Sequence, residues 1–371
     1  MLTQKIIGPS VALVLALAVG GGIWYSNHQL PAQSAVSGIQ AEQILQLKGL
    51  IGSEKQDYFT DSRVIARLKT LGMAVTVEKS GSRAIVSQFN PSQYDFGFPS
   101  GAPAAAQLQK LAKVSNAYVP FYTPMVLASW LPIATILEKN GVVKKEGDNY
   151  FVVDFPALFD LMNQQKRWKE LSHSEAFATN KAVLVASTDV RTSNSGAMYL
   201  ALASYLVNNE NIVQSQADVD KVLPQVSQLF LRQGFQESSS AAPFEDYVAL
   251  GMGKTPLLMI YESQLIEFWL KHPQRIAENM VMLYPKPTIF SKHIFVPFNA
   301  NAERLGEALT NDPELQSIAQ EYGYRTNGEH KSTERWAKQN IIAPENLVDV
   351  IDPPSYEWLE KMIVAIEAKF H

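Results

Sequence analysis

The chain has 371 residues, 46% of them hydrophobic and 18% charged, enough for two domains of ordinary size. A formal net charge of −4 without any basic block argues against nucleic acid as a partner. The absence of cysteine excludes disulfides, a cysteine nucleophile, thiolate metal sites and a lipid-modified N-terminal cysteine.

In chain order, the first element is the uncharged run Ile6–Tyr25, "IIGPSVALVLALAVGGGIWY". As a helix it would span roughly 30 Å, the thickness of a bilayer's hydrocarbon core. Lys5 precedes it and no Lys or Arg follows before Lys48, which puts the N-terminus in the cytoplasm and the body outside. The expectation is a single transmembrane anchor or uncleaved signal over 6–25, in an inner membrane with the body in the periplasm or extracellular space. A cleaved signal peptide is the competing reading, with "AQS" (Ala32–Ser34) or "AVS" (Ala35–Ser37) as the cleavage motif. Residues 26–44 read as a tether.

A strand is expected at "LQLKGLIG" (Leu45–Gly52), then helical spacing of Tyr58, Phe59, Val64, Ile65 and Leu68. "MAVTVEKS" is a second strand, and "YDFGFPSGAPAAAQLQKL" reads as strand, loop, and helix from about Pro103. This alternation predicts a parallel sheet covered by helices. "AYVPFYTPMVLASW" is extended. "KAVLVAST" (Lys181–Thr188) and "TPLLMIYES" (Thr255–Ser263) read as strands buried on both faces. "VMLYPKPTIFSKHIFVPFN" is extended again, but Pro285 and Pro287 disfavour a central strand. The tail is mainly helical. Two extended crossings, near Tyr118–Trp130 and Met282–Asn299, predict that the chain leaves a first lobe (45–125), builds a second (126–282), and returns (283–371).

Four strand ends carry the candidate site. Gly52-Ser53-Glu54-Lys55 follows the first strand, and Pro99-Ser100-Gly101 follows "YDFGF". Ser187–Ser195 follows "KAVLVA", and Tyr261, Glu262 and Ser263 follow "PLLMI". Three of these loops open helices, whose free N–H groups and positive dipole ends suit acceptor or anionic groups. A single such loop is better read as an N-cap and turn; four together point to a site. In open α/β sheets, ligands bind outside the carboxyl ends of the strands.

Other signals carry less. "GMGKT" (Gly251–Thr255) lacks the first glycine of a phosphate loop, having Val248 there, and precedes a strand instead of a helix. The six histidines show no ligand spacing, so neither a catalytic zinc nor any other cofactor is implied. Ser193 has no nucleophile elbow or evident His partner, so the chain is read as a non-enzyme.

The order "GSEK", "YDFGFPSG", "ASTDVRTSNSGAMYLAL", "LLMIYES", "YPKPTIFSKHIFVPF" resembles the extracellular solute-binding proteins of ABC importers, specifically the type II periplasmic-binding fold that includes molybdate and sulfate binders. The resemblance implies an α/β protein of two lobes with a ligand cleft and a two-strand hinge, preceded here by one N-terminal transmembrane helix. It implies binding of a small polar solute, an anion among the candidates, and an ABC permease as partner. By position, Ser53, Ser100, Ser193, Asn194, Ser195 and Tyr261 would face the ligand, with Gly101 allowing close approach. Glu54, Asp189 and Glu262 beside them depart from the oxyanion binders, because carboxylates near a dianion are costly. Arg191 pairs either with a ligand anion or with an acid such as Asp189. The alternative reading is an anchored accessory protein that reuses the fold for a protein or peptide partner.

Overall fold

The computed structural model describes residues 44–370 except 147–149, 235, 277 and 329–330. The expected membrane segment, 6–25, and nearly all of the tether lie outside the described residues. Among the described residues no helix is long and apolar enough to cross a membrane.

Among the described residues ten strands form one sheet: β1 (Leu45–Ile51), β2 (Met73–Lys79), β3 (Phe96–Phe98), β4 (Tyr118–Trp130), β5 (Val143–Lys145), β6 (Tyr150–Asp154), β7 (Leu257–Tyr261), β8 (Met280–Lys286), β9 (Thr288–Pro297) and β10 (Val350–Ile351). The main path runs β2-β1-β3-β9-β4-β8-β6-β5, with β7 joined to β4 and β10 to β9. β1 is parallel to β2 and β3, whereas β9 is antiparallel to β3 and β4. The helical spacing after β1 resolves into Gln56–Thr60 and Ser62–Thr70, broken at Asp61, whose carboxylate caps the second helix from 2.8 Å through the Arg63 N–H. Tyr58, Phe59, Val64 and Leu68 are buried as their spacing predicts, but Ile65 is 52% exposed.

Two groups of apolar clusters define two lobes. The first gathers Leu47, Phe96, Phe98, Phe121, Phe295 and Leu305, with Leu50, Ile85, Leu108 and Val296 on the sheet's other side. The second gathers Leu127, Phe151, Leu200 and Leu283, with Ile260, Trp269 and Met282 opposite. Strands β4 and β9 pass through both: Phe121 and Phe295 pack in the first lobe, Met125 and Ile289 in the second. They are the two crossings.

Three expectations need correction. Lys181–Thr188 is not a continuous strand; it makes single bridges, Ala182 to Arg167 and Ala186 to Leu258, and buries Val183 and Val185 as an irregular extended segment. The Pro-bearing run forms β8 and β9, both central in the sheet. Pro285 lies past the end of the β8–β4 pairing, which stops at Leu283, so its missing N–H faces no second neighbour; Pro287 sits in the turn after a cis peptide. Finally, the chain beyond β9 packs in the first lobe through Leu305, Leu309 and Leu315 but does not end there. Trp336 and Ile341, then Leu359, Met362, Ile363 and Ile366 of the C-terminal helix Tyr356–Glu367, pack into the second lobe's clusters.

Candidate functional site

The cluster forms where strand ends of both lobes meet. After β1, Gly52 leads into a single 3-10 turn, Ser53–Lys55. A Cβ on Gly52 would lie 2.3 Å from the Glu54 carboxylate and 2.5 Å from the Ser100 hydroxyl, so glycine is what lets these groups pack there. After β3, Ser100 and Gly101 precede the helix Ala102–Ala112, and Gly101 receives the Asn194 amide oxygen where a Cβ would stand 2.3 Å from it. Asn194 begins the helix Asn194–Val207 of the second lobe, and Tyr261 at the end of β7 caps the helix Glu262–Lys271. β9 adds Ser291 and His293, two residues apart and therefore on one face.

Lys55 is fully buried at the centre. Its ammonium donates to the Glu54 carboxylate at 2.5 Å and to the Ser100 hydroxyl at 2.9 Å, and lies 3.0 Å from His293 Nδ1. The Ser100 hydroxyl in turn donates to Glu54. Burial works to raise the Glu54 pKa, but the Lys55 charge, with the hydrogen bonds from Lys55 and Ser100, holds it at about 2. Burial pulls the Lys55 ammonium below its usual range, while Glu54 pulls it back. His293 is held well below its ordinary value by burial and then by Lys55, against the opposing pull of Glu54 3.5 Å away. The ring is therefore neutral. With Nδ1 accepting from Lys55, the proton sits on Nε2, which is buried without a hydrogen-bond partner.

The second lobe closes on this centre through Asn194. Its amide nitrogen donates to the Ser100 carbonyl at 2.9 Å, the Tyr261 phenol at 3.1 Å and the Ser291 hydroxyl at 3.4 Å. Burial, and next the Glu54 charge, push the Tyr261 phenol upward. Ser193 is the N-cap residue of its helix, yet its side chain makes no capping bond. Its hydroxyl instead joins Ser195 at 3.0 Å, and Ser195 joins Thr188 at 2.7 Å. The polar surplus at this helix start forms a buried hydroxyl chain, separate from the cap.

Of the residues singled out by sequence, Glu54, Ser100, Gly101, Asn194 and Tyr261 meet in one cluster, and Ser193 and Ser195 extend it. Ser53 opens the turn half-buried. Asp189 and Arg191 pair with each other, with Nε 2.9 Å and Nη2 2.5 Å from the carboxylate, and the guanidinium lies on the Phe370 ring. Glu262 accepts from Arg325 at 2.7 Å through both oxygens and from the Tyr284 phenol at 2.5 Å, fully buried. Ser291 and His293 are not among the sequence candidates, and Lys55 enters there only as part of the loop after the first strand. Lys55 follows Glu54 directly, but nothing local says which face of β9 looks into the cleft.

The lobes are in contact around the cluster. Thr192 O of the second lobe stands 2.1 Å from where a Gly81 Cβ would be, and Arg83 donates to Arg191 O at 3.3 Å. The C-terminal helix lies across the seam. Tyr356 packs on the first lobe's cluster, and Glu360 binds Arg83 at 2.8 and 2.5 Å, while Leu359 and Ile363 sit in the second lobe. A slot of about 30 Å³ lies beneath it, beside Ser193 and Asn194. A larger groove of about 650 Å³ opens elsewhere, between Val143, Asp154, Lys286 and Asp349. Among the described residues no group of three or more His, Asp or Glu is placed to hold a metal ion.

No protein-family model and no curated protein matches the sequence. Solved structures do match. A periplasmic thiamin-binding protein is 8% identical with a TM-score of 0.55, over 88% of this chain and 96% of that one. Iron-bound HitA from Pseudomonas aeruginosa is 11% identical with a TM-score of 0.53, over 87% and 99%. The sulfate-binding protein SubI from Mycobacterium tuberculosis H37Rv is 14% identical with a TM-score of 0.52, over 85% and 96%. At such identities the likeness is one of fold: the chain has the two-lobed, type II architecture of periplasmic solute-binding proteins.

Proposed function

We infer that this protein binds a small polar solute between its lobes and closes over it, outside the cytoplasm, for delivery to an ABC-type permease. One observation carries the reading. Asn194 of the second lobe donates to the Ser100 carbonyl of the first and to Ser291 on the connecting strand β9, so the cluster is complete only when the lobes are together. Opening would release those donors and hydroxyls to a solute, and closure would trap it. The ammonium at the centre of the cluster, Lys55, is engaged by Glu54, Ser100 and His293, which supports binding over catalysis. The apolar run Ile6–Tyr25 would hold the body at the membrane.

A second reading, an accessory protein that uses this fold for a protein or peptide partner, draws on the C-terminal helix that seals the seam. One experiment separates the two. Melting curves of the parent against amino acids, sugars and anions identify any solute that stabilises the folded state. Calorimetric titration and small-angle scattering then follow on that solute. The solute reading expects saturable binding and a scattering curve that reports closed lobes, with Asn194→Ala weakening binding at least several-fold. Normal affinity in Asn194→Ala would overturn the assignment of the cleft.

A further inference from the structure

We propose that Glu54 is a resident counter-ion occupying the anion-accepting end of the cleft, so that the protein rejects oxyanions and takes a polar solute of zero net charge. The proposal deepens the interlobe binding reading and rests on it.

The donors that an anionic ligand would need are present. The Lys55 ammonium and the Ser100 hydroxyl converge ahead of the helix Ala102–Ala112, where backbone N–H groups also favour negative charge. Both are already spent on one acceptor, the Glu54 carboxylate, at 2.5 Å from Lys55 and in a hydrogen bond with Ser100. The carboxylate is fixed there because Gly52 leaves it room: both of its oxygens lie within 2.7 Å of the position a Gly52 Cβ would take. The side chain thus stands where a ligand's anionic group would stand.

An incoming anion would have to evict Glu54 into a buried setting without a partner, or share Lys55 with it at short range, and either is unfavourable. Among the described residues around the cluster no other charge offers compensation. His293 is neutral, Asp189 is matched by Arg191, and Glu262 is matched by Arg325. The same balance counts against a cation, since the one cleft carboxylate is held by Lys55. What remains on offer to a solute is uncharged: the Asn194 amide, the Tyr261 phenol, the hydroxyls of Ser193, Ser195 and Ser291, and the unpartnered His293 N–H.

The test uses the 371-residue chain and small anions as probes. In the parent, sulfate, phosphate and acetate at about 100 mM should change the melting temperature no more than a chloride control of equal ionic strength. Glu54→Ala leaves a carboxylate-sized space facing Lys55 and Ser100. Acetate should then raise its melting temperature by about 2–4 °C, and Glu54→Ala combined with Lys55→Ala should lose that response. Should Glu54→Ala yield no folded protein, Glu54→Gln keeps the shape and removes the charge; its stability should depend on the anion supplied where the parent's does not. Parent stabilisation by sulfate or phosphate overturns the proposal, as does a folded Glu54 variant that responds to anions no more than the parent. The two readings fail separately. If the Glu54 variants respond as expected while no solute binds the parent, the solute reading fails alone. If phosphate binds between the lobes of the parent, the counter-ion assignment fails alone.

Discussion

Gly81→Ala puts lobe closure to a direct test. Gly81 precedes the helix Ser82–Ser87 in extended backbone at φ −67° and ψ 152°, a conformation open to any residue, so alanine brings no local strain. Its methyl group, however, would stand 2.1 Å from Thr192 O and 3.2 Å from Thr192 C, backbone atoms of the other lobe that cannot rotate away. Relief requires the lobes to part locally by about 1 Å, a gap that forfeits roughly a quarter to a half of the dispersion contact at the seam. The Arg83–Arg191 O bond, already 3.3 Å, would lengthen beyond useful range. Overpacking of this kind costs about 1–3 kcal/mol, which shifts the closed–open balance by roughly 5-fold to over 100-fold. Small-angle scattering should give a larger radius of gyration than the parent's, with unchanged far-ultraviolet dichroism. Affinity for a confirmed solute should fall by up to the same factor if the closed form holds it. A Gly81→Ala protein with the parent's radius of gyration and affinity would refute the closed seam described here.

The C-terminal helix should be fastened unequally. Glu360→Gln removes its ion pair with Arg83, partly exposed and worth about 0.2–1 kcal/mol, so hydrogen exchange over 356–367 should quicken by roughly 1.4- to five-fold; unchanged exchange would deny the pair any fastening role. Glu262→Gln leaves Arg325 buried without a counter-charge and should cost about 3–5 kcal/mol in urea unfolding; a loss under 1 kcal/mol would sink that assignment. Acid should destabilise the protein in two stages. The folded pKa of His293 lies well below 6.5 and that of Glu54 is about 2 against an ordinary 4.5, so in both cases the unfolded chain takes up the proton first as pH falls. The contribution of these two groups is therefore full above about pH 6.5, declines below it through His293, and declines further between about 4.5 and 2 through Glu54. The groups facing His293 are Lys55, Glu54, Tyr261 and Tyr324, with the Phe121 ring. His293→Asn should flatten the first stage alone; a parent curve without any slope between pH 5 and 6.5 would contradict the buried neutral ring.

What the sequence determined by itself is local and periodic. Apolar runs such as Leu257–Tyr261, the Pro-tolerant crossing Tyr118–Trp130, and polar loops before Ala102, Asn194 and Glu262 announce strands, a connection and helix starts within a few residues. Their βα order was enough to point to two lobes and to gather Glu54, Ser100, Asn194 and Tyr261 as candidates. Tertiary structure decided the pairings. Glu262 finds Arg325, 63 positions on, and Lys55 meets His293 across 238. Whether Ser291 and His293 face the cleft depends on the register of β9 against β4, since a shift of one residue would turn both away. Lys181–Thr188 has the composition of a buried strand but reaches β7 only near Ala186, so it pairs at single bridges. The C-terminal helix shows an apolar stripe in sequence, yet that stripe says nothing of what it will cover. Side-chain periodicity is set by the backbone of one element, while a charge or an apolar face acquires its partner only when distant elements pack, and that is where Glu54 gained Lys55's neighbours and the seam gained its strap.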